Sequence, residues 1–200
     1  MTQKVYVIDD EGSIRELIKQ LLQIAGLAVE TYASPMEFLD VYSENMKGCV
    51  VLDVRMARMS GPQLQQRLNE MGCQLPIIFV TGHADVKMAV EALKDGAFDF
   101  VQKPFDEAVL IACVKKALAK NSDDLLLKNK SSVIRERLKT LSKRENEVVA
   151  KLLEGKSSKL IARELDISPR TVDVHRQNVF FKLEVKSVAA LVRDVTQLNT

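Results

Sequence analysis

The stretch Cys49-Val50-Val51-Leu52-Asp53-Val54-Arg55-Met56 decides the fold. Its apolar members run without alternation and are rich in β-branched residues, the pattern of a strand buried on both faces of a parallel, helix-covered sheet. The run ends abruptly on an acid. Asp53 is therefore placed at the carboxyl end of its strand, where open α/β sheets bind ligands and do chemistry. A lone Asp could equally cap the loop that follows. The neighbouring strands decide between the two readings.

Towards the amino terminus, Lys4 to Ile8 reads as a short strand with Val5, Val7 and Ile8 apolar, ending on Asp9-Asp10-Glu11. Ile14, Leu17, Ile18, Leu21 and Leu22 then follow helical spacing, and Gly26 closes that helix. Ala28 to Tyr32 is a second strand; Ser34-Pro35-Met36-Glu37 supplies an N-cap, a first-turn Pro and a capping-box Glu for a helix to about Asn45.

Beyond Asp53, a loop from Val54 to Ser60 leads to a helix opened by Gly61-Pro62, with Leu64, Leu68 and Met71 inward. Pro76 to Val80 is a fourth strand ending on Thr81-Gly82-His83, and Val86, Ala89, Val90 and Leu93 form the apolar stripe of the next helix. Phe98 to Val101 is a fifth strand ending on Gln102-Lys103-Pro104-Phe105. A helix from about Asp106 to Leu118 follows, with Leu110, Cys113, Val114 and Ala117 on one face. Five strands alternating with five helices predict an α/β domain with a five-stranded doubly wound parallel sheet, which the resemblance given below makes flavodoxin-like.

The strand ends then carry Asp9 and Asp10, Asp53, Thr81 and Lys103. Three carboxylates within a few ångströms repel, so they share protons or bind a hard, oxygen-ligated cation, for which Mg²⁺ suits a shallow site. With a Lys amine and a Thr hydroxyl alongside, these are the parts needed for phosphoryl transfer to a carboxylate. His83 reads as a solvated loop histidine.

Asp9-Asp10, Asp53, Thr81 and Lys103-Pro104-Phe105, with Met56 and Gly61 framing the loop, resemble the receiver domain of bacterial two-component response regulators over about residues 3 to 120. The resemblance implies that Asp53 accepts a phosphoryl group from a sensor histidine kinase and that Thr81 and Lys103 contact the phosphoryl oxygens. It implies Mg²⁺ held by Asp10, Asp53 and the Arg55 backbone carbonyl, with Asp9 assisting. It also implies a switch role for Phe100 coupled to Thr81, and a cis Lys103-Pro104 bond. The loop departs from the family in having Ala57-Arg58 where Pro and Gly are common, which leaves Arg58 able to touch the site or a partner.

Residues 121–139 are polar and charged around Leu125-Leu126-Leu127 and read as a connector with helical character. From Leu141 the signals sharpen. Ser142-Lys143-Arg144-Glu145 is a capping box opening a helix to Leu153; Leu160, Ile161 and Leu165 mark a short helix; Ser168-Pro169 starts another through Leu183. Two short helices joined by a tight turn read as a helix-turn-helix.

Leu141 to Glu145, Val148, Gly155, Ile161-Ala162, Leu165, Ile167-Ser168, Thr171-Val172, His175 and Lys182-Leu183 resemble the LuxR-type output domain. That likeness places Ser168 to Lys182 in the major groove of double-stranded DNA. Asp173, Val174 and Gln177 would reach base edges, while Arg170, Thr171, His175, Arg176 and Lys182 would position phosphates. The last helix, from Ser187, carries Val188, Leu191, Val192 and Val195 and resembles a dimer-forming helix.

The expected organisation is thus a receiver over 1–120, a linker over 121–139 and an all-α helix-turn-helix domain over 140–200. Composition agrees. Residues 1–120 carry 13 Lys and Arg against 16 Asp and Glu, and residues 121–200 carry 16 against 11, so the second module is the one suited to a polyanion. No run of about 18 apolar residues exists to span a bilayer, and no signal-peptide pattern opens the chain, so the cytoplasm is the expected location. Cys49, Cys73 and Cys113 lack metal or disulfide spacing and read as small core residues.

The two modules together resemble a response regulator of the FixJ/NarL type, a phosphorylation-controlled transcription factor forming a homodimer on activation and able to meet RNA polymerase. Two alternatives are a DNA binder whose receiver is a phosphate-independent interaction platform, and a hydrolase with an aspartyl-phosphate intermediate. Arg55 stands where such hydrolases usually carry a second Asp, which counts against the hydrolase.

Overall fold

The structure is a computed structural model that describes residues 3–82, 86–196 and 198, with the side chains of 86–89 left aside. His83 and the side chains of Val86 and Ala89 lie outside the described residues. The chain divides into two compact units, Met1–Asp124 and Leu125–Thr200.

In the first unit, β1 (Lys4–Ile8), β2 (Val29–Tyr32), β3 (Gly48–Asp53), β4 (Ile77–Thr81) and β5 (Asp99–Gln102) form one parallel sheet in the order β2-β1-β3-β4-β5. The order reverses at β1, so the crevice for ligands opens beyond the carboxyl ends of β1 and β3. Register brings the ends into line: Ile8 pairs with Leu52, Asp53 with Val80 and Thr81 with Gln102.

Helices α1 (Gly12–Ile24), α2 (Pro35–Val41), α3 (Gly61–Glu70), α4 (Val86–Lys94) and α5 (Glu107–Lys139) follow the strands in turn. Alternate residues of each strand feed opposite layers. On β3, Cys49 and Val51 join Ile18, Leu22, Leu110 and Val114 of α1 and α5. Val50 and Leu52 join Phe38, Leu64, Leu68 and Ala92 of α2, α3 and α4. Every residue of β3 is buried, as an apolar run without alternation demands.

Four sequence expectations shift here. α2 stops at Val41, because Tyr42 takes an extended backbone (φ −61°, ψ 137°) while its ring packs against Phe38. Met71 caps α3 and is exposed, and on α4 it is Ala92, with Val90 exposed, that enters the core. α5 runs on to Lys139 through a stretch without Gly or Pro, so nothing local breaks it. Within it, buried Asn121 accepts from the Gly48 amide at 3.0 Å and donates to the Gln74 carbonyl.

In the second unit α6 (Lys143–Leu153), α7 (Ser158–Leu165), α8 (Pro169–Leu183) and α9 (Val188–Thr196) surround Val148, Leu152, Ile161, Val172, Val179 and Leu191. Ser142, Ser157 and Ser168 cap the first three, and Ser142 with Glu145 completes a capping box.

Candidate functional site

The acids expected at the strand ends divide into a buried pair and an outer one. Asp9 and Asp53 are both buried, and Lys103 Nζ bridges them at 2.9 Å from Asp9 Oδ2 and 2.7 Å from Asp53 Oδ1. The second oxygen of each is held by backbone: Asp9 Oδ1 accepts from the Glu11 amide at 2.9 Å, and Asp53 Oδ2 from the Arg55 amide at 2.8 Å. Asp10 is exposed and accepts from the Ala57 amide at 3.0 Å. Among the described residues no three acidic, histidine or cysteine side chains come together.

Burial pushes the Asp53 carboxyl above its ordinary value, the Asp9 charge pushing the same way while Lys103 opposes. Burial alone would lower the Lys103 ammonium, but its hydrogen bonds with Asp53 and Asp9 outweigh that and leave it raised. One ammonium thus serves two buried carboxylates, and the pair remains short of positive charge.

Thr81 is fully buried, and its hydroxyl donates to the Gly82 carbonyl at 3.1 Å. Phe100 is half-buried against the layer formed by α2, α3 and α4. The Lys103-Pro104 bond is cis. Gly61 closes the loop after Asp53: a Cβ there would stand 2.3 Å from the Asp53 carbonyl oxygen and 2.8 Å from the Phe79 ring, so only Gly lets the chain return this close.

In the second unit, α8 exposes Arg170, Thr171, Asp173, Val174 and Gln177. Arg176 is less free than its sequence position suggests. Its Nη1 donates to Ser158 Oγ at 2.5 Å and lies 3.5 Å from Asp173 Oδ1, and its guanidinium stands 5.9 Å from the Phe180 ring centre. Ser158 Oγ also donates to Asp173 Oδ1 at 3.0 Å, so the acid on this helix is tied into a network across α7 and α8. His175 Nδ1 and Arg176 Nε are buried without a partner among the described residues.

Two of the expected residues have partners inside their own unit. Lys182 does not stand free as a phosphate contact: its ammonium lies 2.7 Å from Glu145 Oε2 and also donates to the Thr140 carbonyl. The capping-box carboxylate is buried and requires a cation, and Lys182 holds it below the usual Glu range. Leu191 is wholly buried in the unit's core and offers no surface to a second chain, while Val188 and Val195 pack against that core and Val192 is half-buried. A stripe at helical spacing reads the same whether it faces its own domain or a partner. Ser158 was not legible as the partner of Asp173 and Arg176, since those bonds depend on where α8 crosses α7.

Comparison with known proteins decides the family. Residues 5–115 match the response regulator receiver domain, and residues 139–195 match the bacterial regulatory proteins of the luxR family. The transcriptional regulatory protein FixJ of Azorhizobium caulinodans is 43% identical over 189 residues, which span 94% of this chain and 90% of that protein. The chain belongs to the response regulators.

Among solved structures, the response regulator StyR is 38% identical with a TM-score of 0.86, covering 98% of this chain and all of that one. Full-length FixJ from B. japonicum is 40% identical with a TM-score of 0.63, covering 100% and 98%. This response regulator is a phosphorylation-controlled transcription regulator, with a receiver that implies a histidine kinase partner and a LuxR-type domain that implies DNA binding. No described helix is long and apolar enough to cross a membrane.

Receiver domains generally bind Mg²⁺ at the phosphorylation site, and the oxygens of this regulator suit such an ion. The donors are the carboxylates of Asp9 and Asp53, which share the single ammonium of Lys103, and Mg²⁺ needs only one or two carboxylates with water completing its shell. The third carboxylate, on Asp10, stands one hydrogen bond from the loop that follows Asp53.

Proposed function

We propose that Asp53 is the phosphoacceptor and that the phosphoryl group on it controls DNA binding through α8. The observation that carries this is the Lys103 bridge: a buried carboxylate at the end of β3, both oxygens hydrogen-bonded, with an ammonium 2.7 Å away to receive phosphoryl oxygens.

An Asp53 oxygen attacks the phosphorus of the histidine kinase's phosphohistidine, and the phosphorus–nitrogen bond opens on the opposite side. The Arg55 amide and Lys103 hold the nucleophile's orientation, which removes the entropy of aligning it. Lys103 then neutralises charge on the transferred oxygens, and the Thr81 hydroxyl exchanges the Gly82 carbonyl for one of them. Asp10, Asp53 and the Arg55 carbonyl, with Asp9 assisting, would hold Mg²⁺, which supplies further charge neutralisation at the phosphoryl oxygens. Slow hydrolysis of the acyl phosphate returns the chain to its starting state, so the site is a switch and not a turnover centre.

The half-buried Phe100 ring follows Thr81 inward. That biases the surface of α4, β5 and α5 towards self-association in a two-state manner. A dimer presents two α8 helices to half-sites about one helical turn apart. Arg170 and Thr171 contact phosphates, His175 and Arg176 stand behind them, and Asp173, Val174 and Gln177 face base edges. The cell compartment is the cytoplasm, and RNA polymerase is a further partner. The intact set of Asp9, Asp53, Thr81 and Lys103 disfavours a receiver that serves only as a constitutive platform.

The test is to incubate the full chain and Asp53→Asn with acetyl phosphate and Mg²⁺, then map the modified peptide by mass and follow size by light scattering. The proposal expects one phosphoryl group on the peptide holding Asp53, a shift to dimer, and neither in the variant. Modification that persists in the variant would refute Asp53. Modification without dimerisation would replace self-association by unmasking of α8.

A further inference from the structure

Arg58 lies between β3 and α3 with φ +69°, a left-handed backbone that residues with a side chain adopt at a cost. The Met59 amide donates to the Ala57 carbonyl at 2.8 Å, closing a three-residue turn centred on Arg58. A γ-turn with positive central φ is the rare, strained kind.

The surroundings hold that turn in place from both ends. On one side the Ala57 amide is bonded to Asp10 Oδ2. On the other, the Gly61 amide donates to the Val54 carbonyl at 2.9 Å, and Ser60 caps α3. Strain kept by an over-determined frame is a property of working sites. The Arg58 side chain is exposed and makes no ion pair with any described residue. Its Cα is within about 8 Å of the Asp10 carboxylate, given the 3.0 Å bond to Ala57 and a step of about 3.8 Å between residues. An extended Arg spans nearly that distance.

Charge gives the guanidinium something to do. The carboxylates of Asp9, Asp10 and Asp53 oppose the Lys103 ammonium, with the Arg15 guanidinium held on the Asp9 backbone carbonyl at 2.6 Å and away from the carboxylates' own hydrogen bonds, and a divalent cation would bring the three acids and Lys103 to neutrality. A phosphoryl group on Asp53 then turns one negative charge into two, leaving the site one positive charge short. An arginine aimed at a transferring phosphoryl group is a strong source of that charge.

We propose that Arg58 is a phosphoryl-binding residue of this site, its guanidinium donating to an outward oxygen of the group transferred to Asp53. The inference rests on Asp53 as acceptor. With acetyl phosphate as donor, an Asp53 oxygen supplies the electron pair for the new bond to phosphorus. The bond from phosphorus to the bridging oxygen breaks, and acetate leaves with its pair. No proton or redox equivalent is needed. Arg58 stabilises the oxygens that carry charge during that transfer and afterwards.

The experiment compares the full chain with Arg58→Ala, Arg58→Lys and Arg58→Gly, all with Mg²⁺, by the phosphorylation rate with acetyl phosphate and by calorimetric affinity for beryllofluoride. Arg58→Ala and Arg58→Gly are expected to lose about five- to tenfold in both, a loss of the size one nearby charge produces. Arg58→Lys should recover part of it, because the charge returns without the fork. Ala and Gly variants within twofold of the parent in both readouts would overturn the inference. So would a loss in Arg58→Ala that Arg58→Gly repairs, since the turn and not the charge would then be the cause. A parent chain that takes no phosphoryl group at all would instead refute Asp53 as acceptor.

Discussion

At Arg58 two backbone effects of similar size oppose each other. Holding a side-chain-bearing residue at φ +69° costs about 1–2 kcal/mol, and a Gly there would escape that cost. The same Gly would loosen the unfolded chain, which takes back about 0.4–1 kcal/mol. Arg58→Gly should therefore raise the unfolding free energy of the receiver unit by about 0.5–1 kcal/mol, read by urea denaturation. A loss of stability would mean that Arg58 makes contacts that outweigh its backbone strain. Residues such as Asp53 and Lys103 were legible in the sequence because each ends an apolar strand, and strand ends of one sheet meet. The partners that Arg176 and Lys182 find inside their own unit were not, because a cation on a predicted DNA-facing helix looks the same whether or not a carboxylate of its own unit also meets it. Asn121 was invisible for a related reason: its value lies in the Gly48 amide and Gln74 carbonyl that distant segments bring to it.

At the scale of elements, α6 and α8 are joined by a buried charge. Glu145 caps α6 through the Ser142 amide at 2.7 Å and receives Lys182 from α8 at 2.7 Å. Its carboxyl is held below the ordinary value of 4.5, first by the Lys182 hydrogen bond, with burial opposing. A carboxyl whose folded value is depressed gives stability that is fully present above its unfolded value and is lost as pH falls through the folded one. The second unit should therefore weaken as pH drops below about 4.5. Glu145→Gln, which keeps the capping geometry but not the charge, should flatten that acid limb in thermal melts and cost less at neutral pH than Glu145→Ala, for which about 1–2 kcal/mol is expected. An acid limb as steep in Glu145→Gln as in the parent would place the acid sensitivity elsewhere. Capping boxes and apolar periodicity made most element starts legible. Faces were harder: α9 reads as a stripe, yet Leu191 belongs wholly to the core of its own unit.

For the whole molecule, control means that a phosphoryl group in one unit changes the DNA affinity of the other, and that coupling is a free energy with a bounded size. Couplings of this kind are worth about 1–3 kcal/mol, or roughly 5–150-fold in affinity. On the dimerisation proposed above, duplicated half-sites would add to it, because the second contact becomes intramolecular. The two-module organisation was legible from the change in periodicity, the capping signals and the charge difference between residues 1–120 and 121–200. The size of the coupling was not, since it depends on differences between two states.

The measurement that bears most directly on the account is the affinity for duplex DNA, enriched from a random pool by the phosphorylated chain, determined at one fixed salt concentration with and without acetyl phosphate and Mg²⁺. The parent chain should bind at least about tenfold more tightly when phosphorylated, and Asp53→Asn should bind equally in both conditions. Equal affinity of the parent in both conditions, or the same tightening in Asp53→Asn, would contradict control of DNA binding through Asp53.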